Sequence, residues 1–158
     1  MRELGPELAQ DYAGREPLLV GSLKASIPFV CDLSRSTPVH HALDFIELAG
    51  YDAASTGDQV RFLKDLDTDI EGRHVILVDE VVDTGLTMNY LARTFELREP
   101  ASLVGVTLFD RPYRRLVDDL PVRYVGFTIP DEFFVGYGFD LDEQWRNLPD
   151  LHLVRPAA

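Results

Sequence analysis

The chain has little that would tie it to a disulfide scaffold, a membrane or a nucleic acid. Cys31 is the only cysteine, so no internal disulfide can form, and a reducing cytoplasm is the simplest fit. No stretch approaches the ~20 apolar residues that span a bilayer. The start, MRELGPELAQDYAGREP, lacks the apolar centre of a secretory signal. Internal repeats and low-complexity linkers are absent. Lys24 and Lys64 are the only lysines among many arginines, a bias that carries no functional weight. Positive charge is scarce overall: 15 Lys and Arg against 27 Asp and Glu leave a formal net charge of −12. Such a field repels phosphate polymers and anionic lipid, which argues against a nucleic-acid or membrane partner. A small phosphorylated ligand stays open, because a nest of N–H groups or a bound cation can reverse the sign locally.

What is present fits one globular domain over 1–158, since 46% of the residues are hydrophobic. The pattern predicts a helix over 2–12 closed by Gly14, a strand over 17–23 and a helix over 25–36 with Pro28 near its start. HALDFIEL (41–48) alternates at period two, as a half-buried strand does, and 49–59 is rich in turn formers and reads as a mobile loop. Further strands are expected at 60–66, 74–80, 103–109, 123–127 and 151–154. A helix from Thr87 to about Leu97 is expected between two of them, capped by Thr87 or Thr84. This alternation implies an α/β fold: an open, mostly parallel sheet with helices on both faces. Ligands of such sheets sit beyond the carboxyl ends of the strands, where Asp79, Glu80, Asp110 and Arg111 fall.

The stretch HVILVDEVVDTGLTMNYL (74–91) concentrates the chemistry. An apolar run ends in the pair Asp79–Glu80, followed by Asp83 and the string Thr84–Gly85–Leu86–Thr87. A helix N-terminus offers free N–H groups and the positive end of a dipole. Two threonine hydroxyls and a glycine beside it make a phosphate cradle. The acids can accept hydrogen bonds from sugar hydroxyls. Asp83 can serve as a general base or stand beside a metal. A sugar phosphate fits this pattern; so does a magnesium site of a doubly wound signalling domain, or a plain solvated strand end.

VILVDEVVDTGLT resembles the phosphoribosyl-pyrophosphate (PRPP) motif of the type I phosphoribosyltransferases. PLLVGSLKAS (17–26), VRFLKDLDTDIEGRHVILVDEVVDTGLT (60–87), ASLVGVTLFDRPYRR (101–115) and VRYVGFTIPDEFFVGYGFDLDEQWRNLP (122–149) resemble the bacterial hypoxanthine-guanine branch of that family in order and spacing. The resemblance runs from about residue 2 to the end. It implies the type I fold with a small hood, and transfer of ribose 5-phosphate from PRPP to N9 of a 6-oxopurine in purine salvage. It also implies pyrophosphate release, a Mg²⁺ requirement and a homo-oligomer, dimer or tetramer.

By match to the family's motifs, Asp79 and Glu80 bind the ribose hydroxyls. Asp83 is the general base at purine N7. Asp83, Thr84, Gly85, Leu86 and Thr87 hold the 5′-phosphate. Lys24, Ala25 and Arg146 bind pyrophosphate, and Leu23–Lys24 is a dipeptide that can be cis in the family. Arg111, Phe133, Phe134 and Asp140 face the purine. Glu80 and Asp140 hold the metal, and Tyr51 belongs to a loop that closes over the site. Local readings stand beside these roles: helix capping for Thr84 and Thr87, core packing for Phe133, an N-cap for Asp140 and a surface ion pair for Arg146.

The chain departs from the family at four places. Arg111 replaces a lysine, Gly50 replaces a serine before Tyr51, and Ala25 replaces a glycine, where a Cβ is expected to restrict the loop. The family also carries further residues ahead of the segment where this chain begins, so the hood is expected to be shortened and Met1 to be a truncated or misassigned start. These departures keep a second class open, a PRPP-binding regulatory paralogue with weak or no catalysis, as well as an enzyme for another base.

Overall fold

Residues 1–49 and 61–155 are described by the computed structural model; Gly50, Tyr51 and the expected loop around them lie outside the described residues. Helix α1 (Leu4–Asp11) leads to strand β1 (Leu18–Leu23), helix α2 (Ile27–Ser36) and strands β2 (Ala42–Leu48) and β3 (Phe62–Lys64). Strand β4 (His74–Val82), helix α3 (Leu86–Glu96), strands β5 (Ser102–Asp110) and β6 (Val122–Thr128), and the short strands β7 (Phe134–Val135) and β8 (His152–Leu153) follow.

Six strands form one sheet in the order β3-β2-β1-β4-β5-β6. All neighbours pair parallel except β3, which runs antiparallel to β2. Alternate residues of the central strands feed opposite layers, as the pleat requires. Leu19, Ile76, Val78 and Val106 join Leu8, Phe29 and Leu33 of α1 and α2 in one buried cluster. Leu18, Val20, Val75 and Leu77 join Met88, Leu91 and Phe95 of α3 in the other. The apolar run of β4 is thus covered on both faces, which explains why it shows no alternation.

Strand β2 is half buried as expected, with Asp44 and Ile46 inside and Leu43 44% exposed. Asp44 is tolerated inside because its carboxylate accepts hydrogen bonds from the N–H groups of Phe45 (2.7 Å), Asp67 (3.0 Å) and Thr68 (2.9 Å). The strand expected at 151–154 does not join the main sheet: β8 pairs antiparallel with β7 in a separate two-stranded sheet. Strand β4 runs two residues past Glu80, so the acid pair lies inside the strand and not at its end.

No helix among the described residues is long and apolar enough to cross a membrane.

Candidate active site

The carboxyl ends of β1 and β4, with the turn into α3, enclose a cavity of about 340 Å³. Ser22, Leu23, Asp79, Glu80, Asp83 and the Thr84–Gly85 turn line it, as does Thr87. The topology explains the convergence, because β1 and β4 are parallel neighbours whose carboxyl ends point the same way.

Gly85, not a threonine, is the N-cap of α3, with φ +84°. Only glycine adopts that conformation without penalty. A Cβ there would also lie 2.8 Å from Leu120 Cδ1 and 3.3 Å from Val117 O, so the bare face of Gly85 meets protein. Thr84 contributes weakly, accepting the Leu86 N–H at 3.3 Å, and Thr87 sits inside the first turn and caps nothing.

The carbonyls of the turn are engaged from behind. Arg111 N–H donates to Val82 O (3.0 Å) and Leu116 N–H to Thr84 O (2.9 Å). Arg115 Nε donates to Asp83 O at 3.1 Å, while its guanidinium pairs with Asp110. The N–H groups of Thr84, Gly85 and Thr87 donate no backbone hydrogen bond among the described residues. The turn therefore keeps N–H donors without backbone acceptors while its carbonyls are taken, the polarity that an anion needs.

Asp79 is buried, beside Glu80 in the strand. Burial raises the Asp79 carboxyl above the usual range. Burial, then the charge of Asp79, raises Glu80 well above it. Neither residue forms an ion pair among the described residues, and no cluster of three or more metal-ligating side chains gathers there. An all-protein metal cage is thus absent among those residues. Two carboxylate-bearing residues with unrelieved charge still suit a hard cation that brings ligand oxygens and water with it, the usual habit of Mg²⁺. Asp140 is otherwise occupied. Its Oδ1 pairs with Arg146 Nη2 at 2.9 Å, so the ion-pair reading holds; its Oδ2 accepts the Glu143 N–H at 2.9 Å in a turn, and no helix forms over 141–145 for it to cap.

Asp83 side-chain Oδ1 is buried without a hydrogen-bond partner, and so is Nε of Arg111. Arg111 Nη1 lies 3.7 Å from Asp83 Oδ2. Its Nη2 lies 2.5 Å from Asp131 Oδ1, which also takes Arg114 Nε at 2.7 Å. Asp131 was invisible as a site residue in the sequence, although it stands inside the IPDEFF string.

The Leu23–Lys24 bond is cis. Ala25 is not among the residues with positive φ, so its Cβ is accommodated where the family has glycine. The turn after β7 packs on this loop: a Cβ at Gly138 would lie 1.9 Å from Ala25 O. Across the contact Lys24 Nζ meets Glu143 Oε2 at 2.9 Å, and Arg146 Nη2 meets Glu143 Oε1 at 3.1 Å. Hydrogen bonds from Lys24 and then Arg146 hold the Glu143 carboxyl below its usual range. Glu143 is the second residue that no sequence signal marked.

Phe133 is not core: it is 52% exposed and lines a separate open cavity of about 660 Å³ with Leu141 and Leu153. Phe134 is half buried, and its backbone pairs with Leu153. The structure brings Asp79, Glu80, Asp83, Thr84, Gly85 and Thr87 around one cavity and Lys24 and Arg146 onto one carboxylate, while Phe133 lines neither.

The phosphoribosyl transferase domain family matches residues 1–143. A hypoxanthine-guanine phosphoribosyltransferase of Streptococcus agalactiae is 46% identical over 155 residues, 98% of this chain and 86% of the relative. The crystal structure of a hypoxanthine-guanine phosphoribosyltransferase from Bacillus anthracis superposes with a TM-score of 0.91 at 41% identity, covering 98% of this chain and 91% of that one. A hypoxanthine phosphoribosyltransferase from Staphylococcus aureus gives 0.92 at 38% identity, covering 98% and 84%. With a mostly parallel sheet that carries an acid pair and a glycine-capped turn at its carboxyl edge, the chain belongs to the phosphoribosyltransferase family, on its hypoxanthine-guanine branch.

Proposed function

We propose that this chain transfers the 5-phosphoribosyl group of PRPP to N9 of hypoxanthine or guanine and releases pyrophosphate. The observation that carries the reading is the turn after β4, where Thr84, Gly85 and Thr87 line a cavity walled by Asp79, Glu80 and Asp83 and their N–H groups have no backbone acceptor among the described residues. In this reading the turn holds the 5′-phosphate, and Asp79 and Glu80 accept hydrogen bonds from the ribose hydroxyls. The C1′–O bond to pyrophosphate breaks as the N9–C1′ bond forms. The purine gives up a proton, which Asp83 accepts or shares at N7. Arg111, beside Asp83, donates to the 6-oxygen, and Phe133 stacks on the base.

Lys24, Ala25 and Arg146 receive the pyrophosphate. When bound, Mg²⁺ supplies neutralisation of the leaving anion; Glu80 and Asp140 are the residues that would face it, with Asp79 supporting Glu80. The same reading takes residues 1–158 as one catalytic domain with its hood at the β7–β8 end, working as a cytoplasmic homo-oligomer. Retention of residues for base, ribose, phosphate and pyrophosphate favours an enzyme over a PRPP sensor, which has no use for a base pocket.

Incubation with PRPP, Mg²⁺ and each of hypoxanthine, guanine, xanthine and adenine tests the proposal. Nucleoside monophosphate is expected from hypoxanthine or guanine, and its formation is expected to stop in excess chelator. PRPP binding with no transfer to any base would leave the sensor reading in its place.

A further inference from the structure

One carboxylate occupies both cations assigned above to pyrophosphate. Glu143 bridges Lys24 (2.9 Å) and Arg146 (3.1 Å), residues far apart in the chain. Lys24 has no other ion-pair partner among the described residues. Arg146 has one, Asp140, which its Nη2 also meets at 2.9 Å, and its Nη1 donates a hydrogen bond to Gly138 O at 2.8 Å. Removing Glu143 would therefore leave Arg146 aligned and Lys24 free.

The bridge is also the easiest of these contacts to exchange. Lys24 and Glu143 side chains are 54% and 64% exposed, and ion pairs in water are weak. A carboxylate whose two oxygens span two cations has the same donor requirement as a diphosphate seated between them. With a formal net charge of −12, the chain has few cations to spare, so the two oxyanions compete for the same pair.

We propose that Glu143 is a positioning residue that acts as an internal substitute for pyrophosphate: it holds Lys24 and Arg146 in the empty site, yields them when PRPP binds, and retakes them as pyrophosphate leaves. The inference rests on the pyrophosphate role given to those two cations. It follows that Glu143 weakens ground-state binding of PRPP and of pyrophosphate alike and limits product inhibition.

Glu143→Gln tests this, because it keeps the shape and removes the charge. Dissociation constants for PRPP, for pyrophosphate and for a nucleoside monophosphate are measured with Mg²⁺ present in both proteins. PRPP and pyrophosphate are expected to bind roughly three- to tenfold more tightly to the variant. The monophosphate, which has no pyrophosphate, is expected to bind both proteins equally and reports that the fold is intact. In turnover the KM for PRPP should fall by the same factor, while inhibition by added pyrophosphate strengthens. Equal or weaker binding of PRPP and pyrophosphate to the variant overturns the inference and leaves the catalytic reading standing. Equal tightening of all three ligands overturns it too, since that is a general charge effect. A wild-type protein that binds neither PRPP nor pyrophosphate removes the underlying assignment, and this inference with it.

Discussion

Arg111 Nη1 stands 3.7 Å from Asp83 Oδ2, close enough to feel the charge and too far for a hydrogen bond. The stronger hold on Arg111 comes from Asp131, at 2.5 Å, so Asp83 is not consumed by an ion pair. Its Oδ1 is buried with no partner, an arrangement that leaves a carboxylate oxygen ready to take a proton. Asp83→Asn keeps the shape and removes the base. General acid–base assistance is worth about 10²–10⁴-fold. We expect kcat to fall by that range while PRPP affinity stays near wild type. Retention of most of the wild-type kcat, with chemistry shown to be rate-limiting, would reduce Asp83 to a loop carboxylate.

Arg111 also bears on the choice of base. A guanidinium only donates, which suits a 6-oxo group and opposes a 6-amino group. Its Nε is already buried without a partner. Leaving further buried donors unmatched costs about 1–3 kcal/mol, so adenine should be at least roughly tenfold worse than hypoxanthine in kcat/KM. Equal specificity constants for the two would remove Arg111 from the purine 6-position.

Phe133 gives a different signature. Stacking on a planar base is similar in ground and transition states, so its loss should act on KM more than on kcat. Aromatic stacking is worth about 1–3 kcal/mol per base, which places the rise in purine KM of Phe133→Ala at roughly 5- to 150-fold. Because the ring is 52% exposed, the melting temperature should change little. An unchanged purine KM would assign Phe133 to its own open cavity and to nothing else.

The acid pair sets a pH dependence of stability. Folding raises the carboxyls of Asp79 and Glu80, so between their ordinary range and their raised values the folded state holds more protons than the unfolded one. Their contribution to stability is fully present at low pH and is lost as the pH rises through the raised values. Asp79→Asn removes one charge of the pair. Its melting temperature relative to wild type should climb as the pH goes from acid to neutral, in the absence of ligand, while PRPP binding weakens. A difference that stays flat across that range would contradict the raised carboxyls of the pair.

Gly85→Ala should damage both fold and site. The left-handed φ of +84° costs an L-residue roughly 1–2 kcal/mol, and the added Cβ must displace Leu120. Denaturant unfolding should show a loss of about 1–3 kcal/mol, accompanied by weaker PRPP binding. Unfolding identical to wild type would mean that the turn relaxes freely.

Much of this was legible locally. The apolar run of β4 and the string that follows it lie within one short stretch, and the chemistry of acids before a helix start reads directly. Legibility ended where partners are distant or elements are too short to show a period. Strand β7 has two residues, which no alternation can reveal, and β8 was expected but without its partner. The alternation of β2 was real but did not tell which face is inside, and three backbone N–H groups make the carboxylate of Asp44 acceptable there. The cap of α3 was given to a threonine by propensity, whereas the φ of Gly85 decided it. Asp131 and Glu143 matter through arginines and a lysine brought to them by the fold. The cis bond at Leu23–Lys24 came from family resemblance alone, since nothing in the residue types encodes it.

Gly138 and Ala25 meet so closely that a Cβ on the former would fall 1.9 Å from the carbonyl of the latter. Neither position can therefore drift independently during descent. A lineage that acquires a side chain at 138 must first relocate the 23–25 loop, and with it the lysine that Glu143 holds. Inherited change at the two ends of this chain is coupled through a single missing methyl group, and variation in the loop should track variation in the turn.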